Sequence, residues 1–92
     1  MIDNLADRIF WKALSYPRKC FLVQHLRIAH DQKADNFESQ LIKLLHKADT
    51  VNGTKLRLSY PELTALVNAW QTGLINPDYS IPEEKEKTNA PN

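Results

Sequence analysis

The stretch from Ser15 to His30, SYPRKCFLVQHLRIAH, constrains the fold of this chain more than any other segment. At about 100° per residue, a helix here carries apolar side chains on two opposite sides. One side gathers four apolar residues, which are Leu22, Val23, Leu26 and Ala29. Phe21 and Ile28 lie roughly 140° from the middle of that group. The sequence therefore predicts a central helix that needs cover from both sides.

Capping residues and prolines divide the chain into four predicted helices. Asn4 or Asp3 caps the first. Ser15 or Tyr16 caps the second, and Pro17 takes its first helical position, where the missing N–H costs nothing. Asp35 or Asn36 caps the third. The predicted helices cover residues 4–14, 17–31, 36–49 and 61–72. We expect an all-α domain, a small four-helix bundle with short links.

The fourth helix has the clearest predicted ends. The run Ser59-Tyr60-Pro61-Glu62 has the form of a capping box with proline at the first helical position. Gly73 closes the helix at its carboxyl end. The same Leu-Ser-Tyr-Pro run, followed by Leu-Val, also stands 44 residues earlier, where it starts the second helix. Helix-start chemistry alone favours such residues, so we interpret the repeat as two helices that begin alike.

The segment at about 50–58 has a different pattern. Asn52-Gly53 favours a tight turn, and the residues from Thr54 to Tyr60 alternate between polar and apolar. The sequence predicts an extended connector here. A short β-hairpin with residues 49–51 is the alternative.

The first predicted helix leaves one large aromatic residue away from its apolar stripe. The stripe consists of Leu5, Ala6, Ile9, Phe10, Ala13 and Leu14. Trp11 lies about 160° from the centre of that stripe. Because an exposed indole has no folding benefit and tryptophan is frequent in binding hot spots, we expect a partner-binding surface at Arg8, Trp11 and Lys12. The alternative is that Trp11 packs against another part of the chain.

The third predicted helix has a polar side that favours a second hypothesis. Its apolar face is formed by Phe37, Leu41, Leu44, Leu45 and Ala48, with Ile42 at the edge. The opposite side carries Lys43, His46 and Lys47. With the preceding helix this side resembles the exposed part of a helix-turn-helix, and a hairpin bearing Lys55 and Arg57 gives a winged-helix arrangement. Nucleic-acid binding by these five residues is the alternative function.

The residue types argue against several kinds of chemistry. His25 and His30 point about 140° apart on one helix, and His46 belongs to another, so their spacing predicts no metal site. The single cysteine, Cys20, forms no internal disulfide or zinc cluster. The sequence has only two glycines and no phosphate-binding loop. We expect no metal or cofactor, and a small enzyme is the least favoured class.

Size and charge predict the domain organisation of the chain. The 92 residues correspond to one domain, predicted at 1–76, with an extended to disordered tail at 77–92. Residues 1–60 hold 10 Lys and Arg against 6 Asp and Glu, whereas residues 61–92 hold 2 against 5. Without an export signal or an apolar span, we expect a cytoplasmic protein that does not enter membranes. The favoured function is a non-catalytic interaction module, an adaptor, inhibitor or regulatory subunit, that binds a protein or a second copy of itself.

Overall fold

The computed structural model describes residues 4–31 and 33–82, and these residues form five α-helices. The bounds are α1 Leu5–Ala13, α2 Tyr16–Ala29, α3 Phe37–Lys47, α4 Thr50–Ser59 and α5 Pro61–Gln71. No strand occurs in the described part of the chain. The all-α prediction is confirmed, with one helix more than the four that the sequence predicted.

Helix α5 occupies the centre of the bundle and packs against each of the other four helices. Its middle is buried on every side, at Thr64, Ala65, Leu66, Val67, Asn68 and Ala69. A helix that contacts neighbours all round buries small and polar residues as well as apolar ones. This explains why its sequence has only a moderate apolar stripe.

Helix α2 was predicted to be covered from both sides, and this expectation is wrong. Its larger apolar group is buried, at Leu22, Val23, Leu26 and Ala29. Phe21 and Ile28 on the other side are exposed. Helix α2 therefore buries a narrower face than its sequence suggests. In helix α3 the buried face is rotated, because Ile42 is fully buried while Phe37 and Leu44 are exposed.

Most helix starts follow the predicted capping chemistry. Asn4, Ser15 and Asn36 each accept a hydrogen bond from a backbone N–H in the first turn of the helix that follows. Asp49 does the same for α4, a helix that the sequence did not predict. The capping box before α5 is the exception. Ser59 is the last residue of α4, and Tyr60 is the N-cap of α5 but makes no side-chain capping bond. Glu62 pairs with Arg18 instead.

The carboxyl end of α5 is closed by Gly73, as predicted. Gly73 has a φ of 82°, in the left-handed region that glycine adopts without strain. The N–H of Leu74 donates to the carbonyl of Ala69 at 2.9 Å, and the N–H of Gly73 donates to Trp70 at 3.5 Å. This pair of bonds is the Schellman motif, which turns the chain back toward the body.

Residues 50–58 form helix α4, so the predicted extended connector or hairpin is wrong. Asp49 caps this helix by accepting from the N–H of Asn52 at 2.8 Å. The positions that turn toward the body are Gly53, Leu56 and Arg57, at helical spacing. Because a glycine and an arginine stand at two of these three positions, the inward face leaves little apolar signal in the sequence.

The compact body extends beyond residue 76, where the sequence-based boundary was drawn. Ile75 and Ile81 belong to the core, and Tyr79 packs against it. The N–H of Asn76 donates to the carbonyl of Ser80 at 2.9 Å, closing a short loop. The rest of the predicted tail, residues 83–92, lies outside the described residues.

None of the described helices combines the length and the apolar character needed to cross a membrane.

Candidate functional site

Helix α1 turns its polar side toward the body and its apolar side outward. Asp7 and Trp11 are buried, and the Trp11 side chain has no exposed surface. By contrast, Leu5 is 64% exposed and Ile9 is 61% exposed. The predicted exposure of Trp11 is therefore wrong, and the second sequence-based interpretation, in which it packs within the chain, describes the structure.

Two contacts account for this orientation. Arg57 of α4 donates to both carboxylate oxygens of Asp7, at 2.7 and 2.9 Å, so the buried charge is paired. The Lys19 ammonium group of α2 lies 5.9 Å from the centre of the Trp11 ring, within range of a cation–π attraction. A tryptophan also buries more apolar area than any other side chain of this helix. The inward face of α1 is thus set by partners on α2 and α4.

The outward side of α1 is a continuous apolar surface, which we call the α1 outer face. It is defined by Leu5, Ala6, Ile9, Phe10 and Ala13, all of which are exposed. At 100° per residue these positions fall within one stripe, with its centre about 150° from Asp7 and Trp11. The face therefore has the periodicity of a buried helix surface but faces solvent.

The edge of the α1 outer face carries positive charge. Lys12 is exposed and Arg8 is half-buried, and both lie on the same edge of the helix. The acidic residue of this helix, Asp7, is buried in its pair with Arg57. Of the three residues predicted to bind a partner, Arg8 and Lys12 thus border this face, whereas Trp11 lies beneath it.

The five residues of the nucleic-acid alternative do not form one free basic surface. The Lys43 ammonium group donates to the backbone carbonyl of Ala34 at 2.7 Å. His46 is bonded to another histidine, and Arg57 is bonded to Asp7. Lys47 and Lys55 are the two that stay exposed. They line one shallow concavity together with Asp49. The negative carboxylate of Asp49 weakens the positive field of the two lysines.

A cluster around two histidines forms where α2, α3 and α5 end. The Nε2 atoms of His30 and His46 are 3.2 Å apart. The outer nitrogen of each ring also has a partner. His30 Nδ1 is 2.8 Å from the Tyr79 hydroxyl, and His46 Nδ1 is 3.4 Å from the Gln71 amide nitrogen.

Aromatic rings hold this cluster in place. Trp70 stacks on Tyr79 with ring centres 5.0 Å apart and planes 12° from parallel. His30 meets the Trp70 ring edge to face at 5.1 Å. The Arg27 guanidinium lies 5.7 Å from the centre of the Tyr79 ring. The loop that carries Tyr79 is thereby fixed against the carboxyl ends of α2 and α5.

Both imidazoles favour the neutral form. Partial burial lowers the pKa of His30 below its ordinary value. Burial also lowers the pKa of His46, and the charge on His30 lowers it further. A neutral imidazole has one N–H and one lone pair, so one Nε2 donates to the other.

Sequence spacing gave no indication of this cluster. His30 and His46 stand on different helices, and Tyr79 falls in the segment assigned to the tail. Only the packing of α2 against α3, with their carboxyl ends close together, brings the two histidines into contact. His25, which was predicted to point away from His30, contacts Phe21 at a ring-centre distance of 4.7 Å.

A second concave surface lies between α2 and α5. Arg18 Nε donates to Glu62 at 2.8 Å, and this pair lines the concavity together with the exposed Phe21 and Tyr60. Arg18 and Glu62 are 44 residues apart, which equals the offset of the repeated Leu-Ser-Tyr-Pro run. The ion pair thus joins equivalent positions in the first turns of the two helices.

Comparison with models of known protein families, with curated proteins and with solved structures finds no match to this chain.

Proposed function

We propose that this protein is a non-catalytic protein-binding module whose α1 outer face receives an amphipathic helix of a partner protein. We further propose that acidic residues flank the apolar stripe of that helix. The observation that carries the proposal is the exposure of Leu5 and Ile9, one turn apart on a helix whose opposite side is buried.

The apolar stripe favours a binding role over an ordinary solvent-facing surface. Single exposed apolar residues are common on soluble proteins and need no explanation. A patch formed at helical spacing is different, because contiguous apolar area commonly marks an interaction surface. Burying such area yields roughly 25 cal/mol per Å². A bound partner recovers this free energy.

The shape of the face favours a helix as the occupant. Leu5, Ile9 and Ala13 follow one another at intervals of four and form a single ridge along α1. Ala6 and Phe10 form the neighbouring row. The small alanine side chains let another helix approach closely, while the larger side chains fit into its grooves.

Charge favours a separate acidic partner over a second copy of this chain. In an antiparallel twofold dimer through α1, the edge with Arg8 and Lys12 meets the same edge of the other copy. In a parallel dimer it meets the opposite edge, where the carboxylate of α1, Asp7, is already paired with Arg57. Like charges brought together at an interface cost free energy, whereas opposite charges favour association. Glutamate or aspartate beside the partner's apolar stripe supplies the matching sign.

The proposal can be tested with two designed helical peptides. Both carry the same leucine stripe, and the flanking residues are glutamate in one and lysine in the other. We expect the glutamate peptide to bind, as measured by fluorescence anisotropy. We expect Ile9→Asp to weaken this binding at least tenfold, because a carboxylate then stands in the apolar contact.

Leu58→Asp is the matched control, since Leu58 is 82% exposed on α4 and lies outside the α1 outer face. This variant should bind as the unmodified protein does. Equal binding of the lysine peptide would contradict the predicted charge of the partner. Self-association that Ile9→Asp abolishes, with no peptide binding, would show that the face is a homodimer contact and overturn the proposal.

A further inference from the structure

We infer that His30 and His46 form a two-histidine site for one divalent transition-metal ion, of the class of Zn²⁺ or Cu²⁺. Solvent or an external ligand completes the coordination. The inference does not depend on the α1 outer face, which involves other residues.

The separation of the two nitrogens matches metal chelation. The Nε2 atoms are 3.2 Å apart and face each other. Two imidazole nitrogens bound tetrahedrally to Zn²⁺, each at about 2.0 to 2.1 Å, stand about 3.4 Å from each other. The nitrogen–nitrogen distance thus changes by only a few tenths of an ångström on metal binding, and each ring turns by roughly 35° so that its lone pair points at the ion instead of at the other nitrogen.

Each outer nitrogen has a partner that can accept a hydrogen bond from a metal-bound histidine. Metal-ligating imidazoles usually donate their second N–H to a nearby oxygen, which fixes the ring orientation. His30 Nδ1 has the Tyr79 hydroxyl as its partner, and His46 Nδ1 has the Gln71 side-chain amide. The Tyr79 hydroxyl can accept a hydrogen bond as it stands. The Gln71 amide can accept one after a half-turn of its terminal group, which brings its oxygen to face His46 Nδ1.

Metal binding therefore needs a change of tautomer and no loss of a proton. In the metal-free pair, one Nε2–H donates to the other Nε2. When a metal ion binds, that hydrogen moves to Nδ1 of the same ring, so that both Nε2 lone pairs face the ion. The ring that changes tautomer then donates from Nδ1 to its own outer partner, Tyr79 or Gln71.

The environment also favours a reversible site. Both rings are half-buried, so an ion from solvent has access, and neutral imidazole is the form that binds metal. Among residues 4–31 and 33–82, no third His, Cys, Asp or Glu side chain joins the pair. The ligand set thus differs from that of a closed structural zinc site, which has four protein ligands.

The nearby indole provides a direct assay. The Trp70 ring centre lies 5.1 Å from that of His30, whereas Trp11 lies in the core. We expect Cu²⁺ titrated into the full chain at pH 7.5 to quench the Trp70 emission saturably, with one ion per chain. Zn²⁺ should raise the melting temperature, because an ion that binds only the folded state stabilises it, while Mg²⁺ should not.

Four variants make the assay specific. His30→Gln and His46→Gln should each lower the apparent affinity for Cu²⁺ at least tenfold. His25→Gln is the matched control and should bind as the unmodified protein does, since His25 belongs to a separate aromatic contact. Trp70→Phe should remove the quenched part of the emission but keep the Zn²⁺ stabilisation.

A result independent of the variants comes from histidine ¹⁵N NMR on the unmodified protein. Zn²⁺ should move the Nε2 resonances of two histidines and leave both rings protonated at Nδ1. Unchanged spectra at millimolar Zn²⁺, or equal loss of binding in His25→Gln, would overturn the inference.

Discussion

Arg57 donates hydrogen bonds to both carboxylate oxygens of Asp7, at 2.7 and 2.9 Å, and so links α4 to α1 between residues 50 positions apart in sequence. The Asp7 side chain is 4% exposed and that of Arg57 is 24% exposed, so the pair is largely removed from water. A carboxylate buried in this way needs a partner. The pair therefore holds α1 with its polar side inward, which in turn exposes the α1 outer face.

Removing the arginine should be costly. Arg57→Ala leaves Asp7 buried without its counter-charge, and we expect the free energy of unfolding to fall by roughly 3 to 5 kcal/mol. Urea unfolding followed by circular dichroism measures the change. Lys55→Ala, at an exposed position of the same helix, should change it by no more than about 0.5 kcal/mol. Equal effects of the two substitutions would contradict the structural role of the pair.

The core can be tested at Leu26, which is fully buried on α2. Leu26→Ala should lower the free energy of unfolding by roughly 2 to 5 kcal/mol, because the truncated side chain leaves a cavity. Lys47→Ala on the exposed side of α3 is the control, with an expected change within about 0.5 kcal/mol. Similar melting temperatures for the two variants would mean that the buried side of α2 is assigned wrongly.

The Arg18–Glu62 pair predicts a dependence on acidic pH. Hydrogen bonds from Arg18 lower the pKa of Glu62 in the folded state. A carboxylate with a lowered folded pKa adds stability above its unfolded pKa of about 4.3, and this stability is lost as pH falls through the folded pKa. The melting temperature of the unmodified protein should therefore exceed that of Glu62→Gln at pH 7. The difference should shrink below about pH 4, and a difference independent of pH would contradict this origin.

Two truncations separate the docked loop from the chain that follows it. Deleting residues 77–92 removes the buried Ile81 and the Trp70–Tyr79 stack, so we expect a clear fall in melting temperature. Deleting residues 83–92 removes almost no apolar content, and we expect the melting temperature to stay unchanged. Calorimetry on both chains distinguishes these outcomes. A large loss from the shorter deletion would show that residues 83–92 stabilise the body.

Local chemistry in the sequence was sufficient to predict several of the helix ends. Asn4, Ser15 and Asn36 cap helices as predicted, and Gly73 ends α5, because each acts on backbone groups within a few residues. The all-α class followed from these signals and from the helical spacing of apolar residues. Such features depend on residues that are close in sequence, so they can be predicted without knowing the tertiary structure.

The side of α1 that faces the body and the presence of helix α4 could not be predicted from local sequence. Helical spacing shows that α1 has an apolar side but not which side faces the body, and that choice depends on Arg57. Helix α4 was not predicted because Gly53, which lies on its buried side, forms with Asn52 a pair that favours a turn. The His30–His46 contact likewise arises from the packing of two helices, so no sequence motif predicts it.

The orientation of α1 can be measured most directly through Trp11, in a Trp70→Phe variant that leaves a single indole. The sample is first shown to be monomeric by sedimentation. We predict blue-shifted Trp11 emission that acrylamide quenches poorly, because this side chain lies in the core beneath the α1 outer face. Emission near that of tryptophan in water, with ready quenching, would show that α1 faces the other way and would remove the basis of the proposed binding surface.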